Sequence, residues 1–393
     1  MVRPRGFKRD EFRFVEKCSK DMGDIRLFNC VKVALVGLTL VGVSVLSGCS
    51  SDESATENSD TSPLAYVTNQ KGNITVIDLG TLEVAGEIDV EGKGPRGIGI
   101  TPDGKTIVVA NVDGGDISLI DRESGAVKKH IEVGENPEFV RVIGNKAYIS
   151  FEPASLGGPP PKPGSEEAMK LQEQREEDDE EPAKIAIVNI DLGIVEKEIT
   201  GGMETEGIEL SPDQSKLVIT NEADENITVH DVASGELLKT IDTKPYGHRP
   251  RGIKASPDGS MYVGSIEYGN HLVVMDSNFD VIREVETGAV PYGLSFSRDG
   301  SKLYVALSKG KALQVFDTSS WEELGQGETG KRCWHFTFTP DDSRILVACG
   351  RSDEVVVLNA ADLSVVKRLT GFAMPWGIVS YPKSVGSLDS VWQ

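Results

Sequence analysis

Seven residues fall at one recurring position along this chain: Arg96, Glu138, Glu206, Arg251, Tyr292, Trp334 and Trp376. Gathered in one place, two guanidiniums, two carboxyls and three aromatic rings could hold a ligand. Most small-molecule sites combine flat apolar walls with a few orienting polar groups. Arg96 and Arg251 suit a carboxylate or a phosphate. The same set could instead pair arginine with glutamate and fill the space with its rings. Other chemistry is sparse. No GxSxG, HExxH, Walker A or GxGxxG context appears, so no catalytic or metal-ligating set is assigned. The five cysteines (Cys18, Cys30, Cys49, Cys333 and Cys349) include no CxxC pair and no CxxCH. Of the five histidines, His130, His230 and His271 sit in patterns of outer or third strands. His248 and His335 fall near the recurring position and form the one credible ligand pair.

A repeat gathers the seven. "ITVID" ending at Asp78 recurs as "ISLID" at Asp121, "IAIVN" at Asn189, "ITVHD" at Asp231, "LVVMD" at Asp276, "LQVFD" at Asp317 and "VVVLN" at Asn359. The steps are 43, 68, 42, 45, 41 and 42 residues, so there are seven copies and one irregular step. Midway in most units stands a tight-turn signal: Thr101-Pro102-Asp103-Gly104, Ser211-Pro212-Asp213, Ser256-Pro257-Asp258-Gly259, Ser297-Arg298-Asp299-Gly300 and Thr339-Pro340-Asp341. Apolar or alternating strands flank these turns. Four short strands in about 42 residues is the signature of a β-propeller blade. The expected fold is all-β: a seven-bladed propeller of four-stranded blades. It closes by pairing the N-terminal strand (65–69) with an innermost C-terminal strand (375–382), which removes exposed edges.

In such a ring the seven residues stand at the mouth of the central channel. The next position is Gly97, Gly207, Gly252, Gly293 and Gly377 in five units, and Phe139 and His335 in the others. The long step marks an insertion at about 155–181, Pro-rich and then acidic, which reads as disorder or a short helix near 166–175. It falls between the second and third strands of its blade, on the mouth side. Cys333 and Cys349 lie eight residues either side of Asp341 and are candidates for a cross-strand disulfide.

The opening Tyr66-Val67-Thr68-Asn69, with "ITVID", "GPRGI" and "TPDG", resembles the YVTN-type β-propeller repeat family, close to the haem d1 propeller of cytochrome cd1-like proteins. That resemblance covers residues 64 to about 382. It implies that a d1-like tetrapyrrole, which needs an axial imidazole, is worth testing at His248 or His335. The residues themselves call for no cofactor. A lactonase-like propeller hydrolase is a further reading, with Glu206, Arg251 and His335 converging on the mouth.

The N-terminus reads as an address. Residues 33–46 are uncharged, too short for a membrane span, and follow Arg26 and Lys32 as a signal h-region follows its n-region. They end in Leu46-Ser47-Gly48-Cys49, which resembles the bacterial lipobox. The resemblance implies that Cys49 is acylated and becomes the first mature residue. The expected organisation is a signal region 1–48 with translation starting at Met22, a lipidated tether 49–63, the propeller 64–386 and a tail 387–393. The tether SSDESATENSDTSP is too polar to fold. The excess of 62 Asp+Glu over 41 Lys+Arg argues against a nucleic-acid partner. The expectation is a monomer anchored to the bilayer through Cys49 on the periplasmic or extracytoplasmic face. Ser50, in place of an Asp that would resemble an inner-membrane retention signal, favours the outer membrane. Its expected work is to bind an exported protein or a small ligand rather than to turn one over.

Overall fold

A computed structural model describes residues 62–153, 165–167, 169–170 and 181–389. Cys49, the export segment, the tether, most of the insertion and residues 390–393 lie outside the described residues. Seven four-stranded antiparallel sheets follow one another along the chain. In the closing blade the last strand, Pro375–Tyr381, pairs with the first, Leu64–Asn69, which continues to Ile74–Asp78 and Glu83–Ile88. The ring is therefore a seven-bladed propeller closed by its two chain ends, as the repeat phase requires. No helix among the described residues is long and apolar enough to cross a membrane.

Burial explains the strand order. Second strands such as Thr106–Asn111 (TIVVAN) are buried along their length, while outer strands such as Val127–Glu132 (VKKHIE) expose nearly all of theirs. The apolar clusters lie between neighbouring blades: Val108 and Leu119 pack on Val140 and Ile149, and Val218 and Val229 on Ile253 and Tyr262. Each such side chain removed from water is worth about 1.5–3 kcal/mol, so blade-to-blade stacking carries the fold. The turns behave as their sequence says. Gly104 has φ +69°, and the Thr101 hydroxyl donates to Asp103 at 2.7 Å. Ser211–Asp213, Ser256–Asp258 and Ser297–Asp299 repeat that contact. Cys333 and Cys349 face each other in register and are joined as a disulfide.

The innermost strands carry the feature that aims the mouth residues. Six of the seven begin with a break in register, at Pro95/Ile98, Thr205/Gly207, Pro250/Ile253, Pro291/Leu294 and Cys333/His335, and opposite Val67/Asn69. In three blades the break is held by a hydroxyl from the second strand. Thr220 accepts the Gly207 N–H at 2.8 Å and donates to the Arg251 carbonyl of the next blade at 2.6 Å. Thr68 links Gly377 to Arg96 in the same way, and Ser265 links Gly252 to Tyr292. Glycine is required beside it. A Cβ on Gly207 would stand 2.4 Å from the Arg251 carbonyl oxygen, and those on Gly97, Gly252 and Gly293 would meet their neighbours equally closely.

One boundary needs correction. Ser387, Leu388 and Asp389, assigned above to a tail, are buried. The segment turns back beneath the ring and pairs with Cys333–Phe338: Phe338 N–H donates to the Val385 carbonyl and Ser387 N–H to that of Phe336. Fully buried Arg141 donates to the Leu388 carbonyl at 2.5 Å, and Lys254 donates to that of Asp389. The segment has no strand pattern of its own. It is drawn in because two buried cations need acceptors.

Replacing Thr220 by valine keeps the shape but leaves the Gly207 N–H and the Arg251 carbonyl without their partner. A loss of about 1–3 kcal/mol in denaturant unfolding is expected. Non-reducing peptide mapping is expected to recover Cys333 and Cys349 in one linked fragment.

Candidate functional site

All seven expected mouth residues line a single cavity of about 320 Å³. The pairing expected as the alternative also occurs, between neighbouring blades: Arg96 pairs with Glu138 and Arg251 with Glu206. Pairing does not fill the space. Trp334 and Trp376 form part of its wall, and the Tyr292 hydroxyl donates to Glu206 at 3.1 Å.

Two further rings of residues complete the mouth. The residue two places before each mouth residue adopts a left-handed backbone in every blade: Gly94, Asn136, Glu204, Arg249, Val290, Arg332 and Met374, with φ between +48° and +66°. Six of these are not glycine, and a β-branched residue there is strained. In six of the seven blades these carbonyls are held by the residue that follows the second strand, while Glu152 N–H donates to the Glu135 carbonyl instead. Glu222 N–H donates to Glu204 at 2.7 Å, Glu267 N–H to Arg249 at 2.9 Å, and Gln70 N–H to Met374 at 3.0 Å. This clamp fixes both side chains at the mouth. Glu152, Glu222 and Glu267 all occupy that second position, and sequence reading missed them. A signal existed: they align in the repeats as the residue after "YISF", "VITN" and "VGSI".

The electrostatics follow from this crowding. Arg251 Nη1 contacts Glu206 and, at 2.6 Å, Glu222, while its Nε donates to Glu267 at 2.7 Å. Arg249 reaches Glu222 at 2.7 Å, and Arg332 reaches Glu267 at 3.2 Å. Burial alone would lower the Arg251 pKa, but these carboxylates hold it well above the usual arginine value. Of the two carboxyls on Arg251 Nη1, burial pushes Glu222 well up; at Glu206 burial also pushes up, but Arg251, Arg96 and the hydrogen bonds with Glu222 and Tyr292 together pull it below its ordinary value. Glu152 is pushed well up by burial and then by the carboxylates Glu138, Glu206, Glu204 and Glu222. Glu138 is raised by burial against the pull of Arg96. The mouth therefore pushes some of its carboxyls toward the protonated form and holds Glu206 toward the ionised one. Each of Arg96 and Arg251 spends Nε and Nη1 on side chains, and neither Nη2 bonds to the described residues.

The two histidines are not brought together. His248 is half exposed, pairs with Glu225 and does not line the cavity. His335 lies within the channel, its ring 4.3 Å from that of Trp376 and edge-on to Tyr292 and Phe139. Its Nδ1 meets the Ser387 hydroxyl at 3.0 Å, while Nε2 is buried without a hydrogen-bond partner. Burial lowers its pKa to about 3, so a neutral imidazole sits there. The two histidines noted as a ligand pair thus lie apart, His248 at the surface and His335 in the channel. The proposed trio of Glu206, Arg251 and His335 is split between two layers: Glu206 and Arg251 at the mouth, His335 beneath them. Among the described residues no group of three or more His, Cys, Asp or Glu could hold a metal ion.

A histidine held below its ordinary value of 6.5 contributes stability that is lost as pH falls from 6.5 toward 3. That loss should run at about 1.4 kcal/mol per pH unit, and His335→Gln should remove it from the stability profile measured by urea unfolding.

Comparison with known proteins adds to this picture. Residues 54–143 match a family model described as "Lactonase, 7-bladed beta-propeller". No curated protein matches the chain. Among solved structures, one of a functionally unknown protein from Desulfotomaculum acetoxidans is similar, with 17% identity, a TM-score of 0.66, and coverage of 81% of this chain and 99% of that one. A putative 6-phosphogluconolactonase from Bacteroides fragilis has 16% identity, a TM-score of 0.64 and coverage of 82% and 99%. The periplasmic gluconolactonase of Pseudomonas aeruginosa has 17% identity, a TM-score of 0.63 and coverage of 81% and 98%. At such identities the likeness establishes the shared fold.

Proposed function

We propose that the channel mouth hydrolyses a lactone, which revises the expectation of binding without turnover. One observation carries the reading: Glu152, pushed well toward the protonated form, and Glu138, raised less against the pull of Arg96, share a cavity with two arginines that each keep an N–H group unspent. Ring opening needs those parts. A water oxygen bonds to the lactone carbonyl carbon and gives its proton to a carboxylate, for which Glu138 is the candidate base. The carbonyl oxygen becomes an oxyanion, which the Nη2 groups of Arg251 and Arg96 can receive as hydrogen-bond donors. Collapse of the intermediate breaks the bond to the ring oxygen. That oxygen takes a proton from Glu152, the candidate acid, which burial and the neighbouring carboxylates push toward the protonated form. The proton on Glu138 then returns to Glu152, leaving a hydroxy acid and the starting enzyme. Glu206, locked by Arg251 and Tyr292, positions the guanidinium. The partial family match and the two lactonase-named neighbours support this reading.

The YVTN-type resemblance remains our reading of the repeat. The export signal and the acylation of Cys49 are likewise proposals, supported by the apolar run ending in LSGC. They would place the mouth outside the cytoplasm, on a protein tethered to the bilayer.

Purified protein should open simple aldono- or aliphatic lactones, read by proton release at constant pH. Glu138→Gln and Arg251→Gln should each lower kcat by about 10²-fold or more. Lactones untouched by wild type, or opened equally well by both variants, would refute the assignment. Intact-mass analysis of membrane-extracted protein should show diacylglycerol on Cys49, and Cys49→Ala should release the chain from membranes.

A further inference from the structure

We propose that the Cys333–Cys349 disulfide is a positioning device for the mouth. It locks the start of one innermost strand and thereby sets Trp334 and Arg332 in the cavity wall. The device serves the cavity itself and does not depend on the lactone reading.

The seven blades show what each strand start needs. The residue just before the mouth residue follows a left-handed turn, and it must be held if the mouth side chain is to point one way. Five blades put proline there: Pro95, Pro137, Pro250, Pro291 and Pro375. The proline ring fixes φ at about −65°. Another blade has Thr205, whose hydroxyl donates to Asn221 at 2.9 Å, and adds the Thr220 clasp. A second-strand hydroxyl also meets the strand start at Thr68, Ser150 and Ser265. The remaining blade has neither device. Cys333 stands at the proline position, and the second-strand residue opposite His335 is Ala348, which has no hydroxyl. Here Cys333 faces Cys349 in register, where Pro95 faces Asn111 and Pro375 faces Asn69, and the two sulfurs are joined. Both cysteines are fully buried.

The bridge falls where it acts on the cavity. The Trp334 ring lies so close against Gly350 that a Cβ there would stand 1.8 Å from it. The disulfide joins the residue before Trp334 to the residue before Gly350, and so braces that contact from both strands. Cys349 also accepts the Gly330 N–H at 3.3 Å, as Asn221 accepts that of Gly202 at 3.0 Å. On the other side of Cys333, Arg332 reaches Glu267 at 3.2 Å, and Glu267 accepts from Arg251 Nε at 2.7 Å. A loosened Cys333 would therefore free both an indole wall and one end of the arginine–carboxylate network.

Two replacements of the bridge in the full-length protein test this. Cys333→Ser/Cys349→Ser removes the link and supplies no lock. Cys333→Pro/Cys349→Asn also removes it but installs the pair that two other blades use. The readout is the fluorine NMR line of Trp334 in fluorotryptophan-labelled protein, assigned with Trp334→Phe; the Trp321 line is the control. Wild type should give one narrow Trp334 line. The serine pair should broaden it about twofold or more, or split it, because an indole exchanging on the μs–ms scale spreads its resonance. The proline–asparagine pair should restore a single narrow line with no disulfide present. Circular dichroism and urea unfolding separate loss of fold from loss of position. An unchanged Trp334 line in the folded serine pair would overturn the proposal. So would equal broadening of Trp321, which marks general loosening, or a broad Trp334 line or failure to fold in the proline–asparagine variant. A serine pair that does not fold, beside a proline–asparagine pair that folds with the narrow line, would support it: the strand start then requires a lock, and the covalent bond is one way to supply it.

Discussion

The ring depends on a small hydrogen-bonded clasp. A hydroxyl on the second strand of one blade accepts an N–H from its own innermost strand and donates to the mouth carbonyl of the next blade, as Thr220 does between Gly207 and Arg251. The clasp holds a local break in strand pairing, and it needs a glycine where a Cβ would strike the neighbouring carbonyl. Buried carbonyls and N–H groups cannot go unpaired without cost. Where the hydroxyl is present, at Thr68, Thr220 and Ser265, the clasp ties the direction of the mouth side chain to the packing of the adjacent blade. Thr68 closes the ring by the same means, linking the last strand to the second unit.

Charge concentration at the mouth follows from that geometry. Seven strand starts converge on one axis, and two more residues per blade are clamped beside them. Carboxyls and guanidiniums are thus brought closer than water would allow. Arg251 answers by contacting three carboxylates, and Glu222 and Glu152 answer by favouring the protonated form. A network of this kind is costly to build and sensitive to the loss of any member. That is reason to look for function there rather than stability. Below it the logic changes: His335 stays neutral among aromatic rings, and Arg141 and Lys254 are satisfied by the carbonyls of the C-terminal segment.

Much of this was legible in the repeats. Phase alone located the seven mouth residues, because equal spacing around a closed ring sends equivalent positions to equivalent places. It also placed the turn aspartates and the register of Cys333 with Cys349. What escaped lay off the phase or one step from it. Glu152, Glu222 and Glu267 are in phase but look like ordinary polar residues following a strand. Only the fold shows that Glu152 and Glu222 line the cavity and that Glu267 backs it through Arg251. His248 and His335 were joined as a pair because both lie near strand starts, yet one faces Glu225 at the surface and the other the channel axis. Periodicity does not report that difference in depth.

The sequence by itself determined the seven-fold unit, the four strands in each, the closure by the chain ends and the identity of the residues at the mouth. These are local or periodic properties, set by strand alternation, turn chemistry and equal spacing. Tertiary structure decided which carboxyls are pushed toward the protonated form, which arginine N–H groups stay unspent, and that Ser387 to Asp389 are buried against the ring. Those properties arise from distances between residues far apart in the chain, where burial and neighbouring charge act together. No pattern along a single strand encodes them.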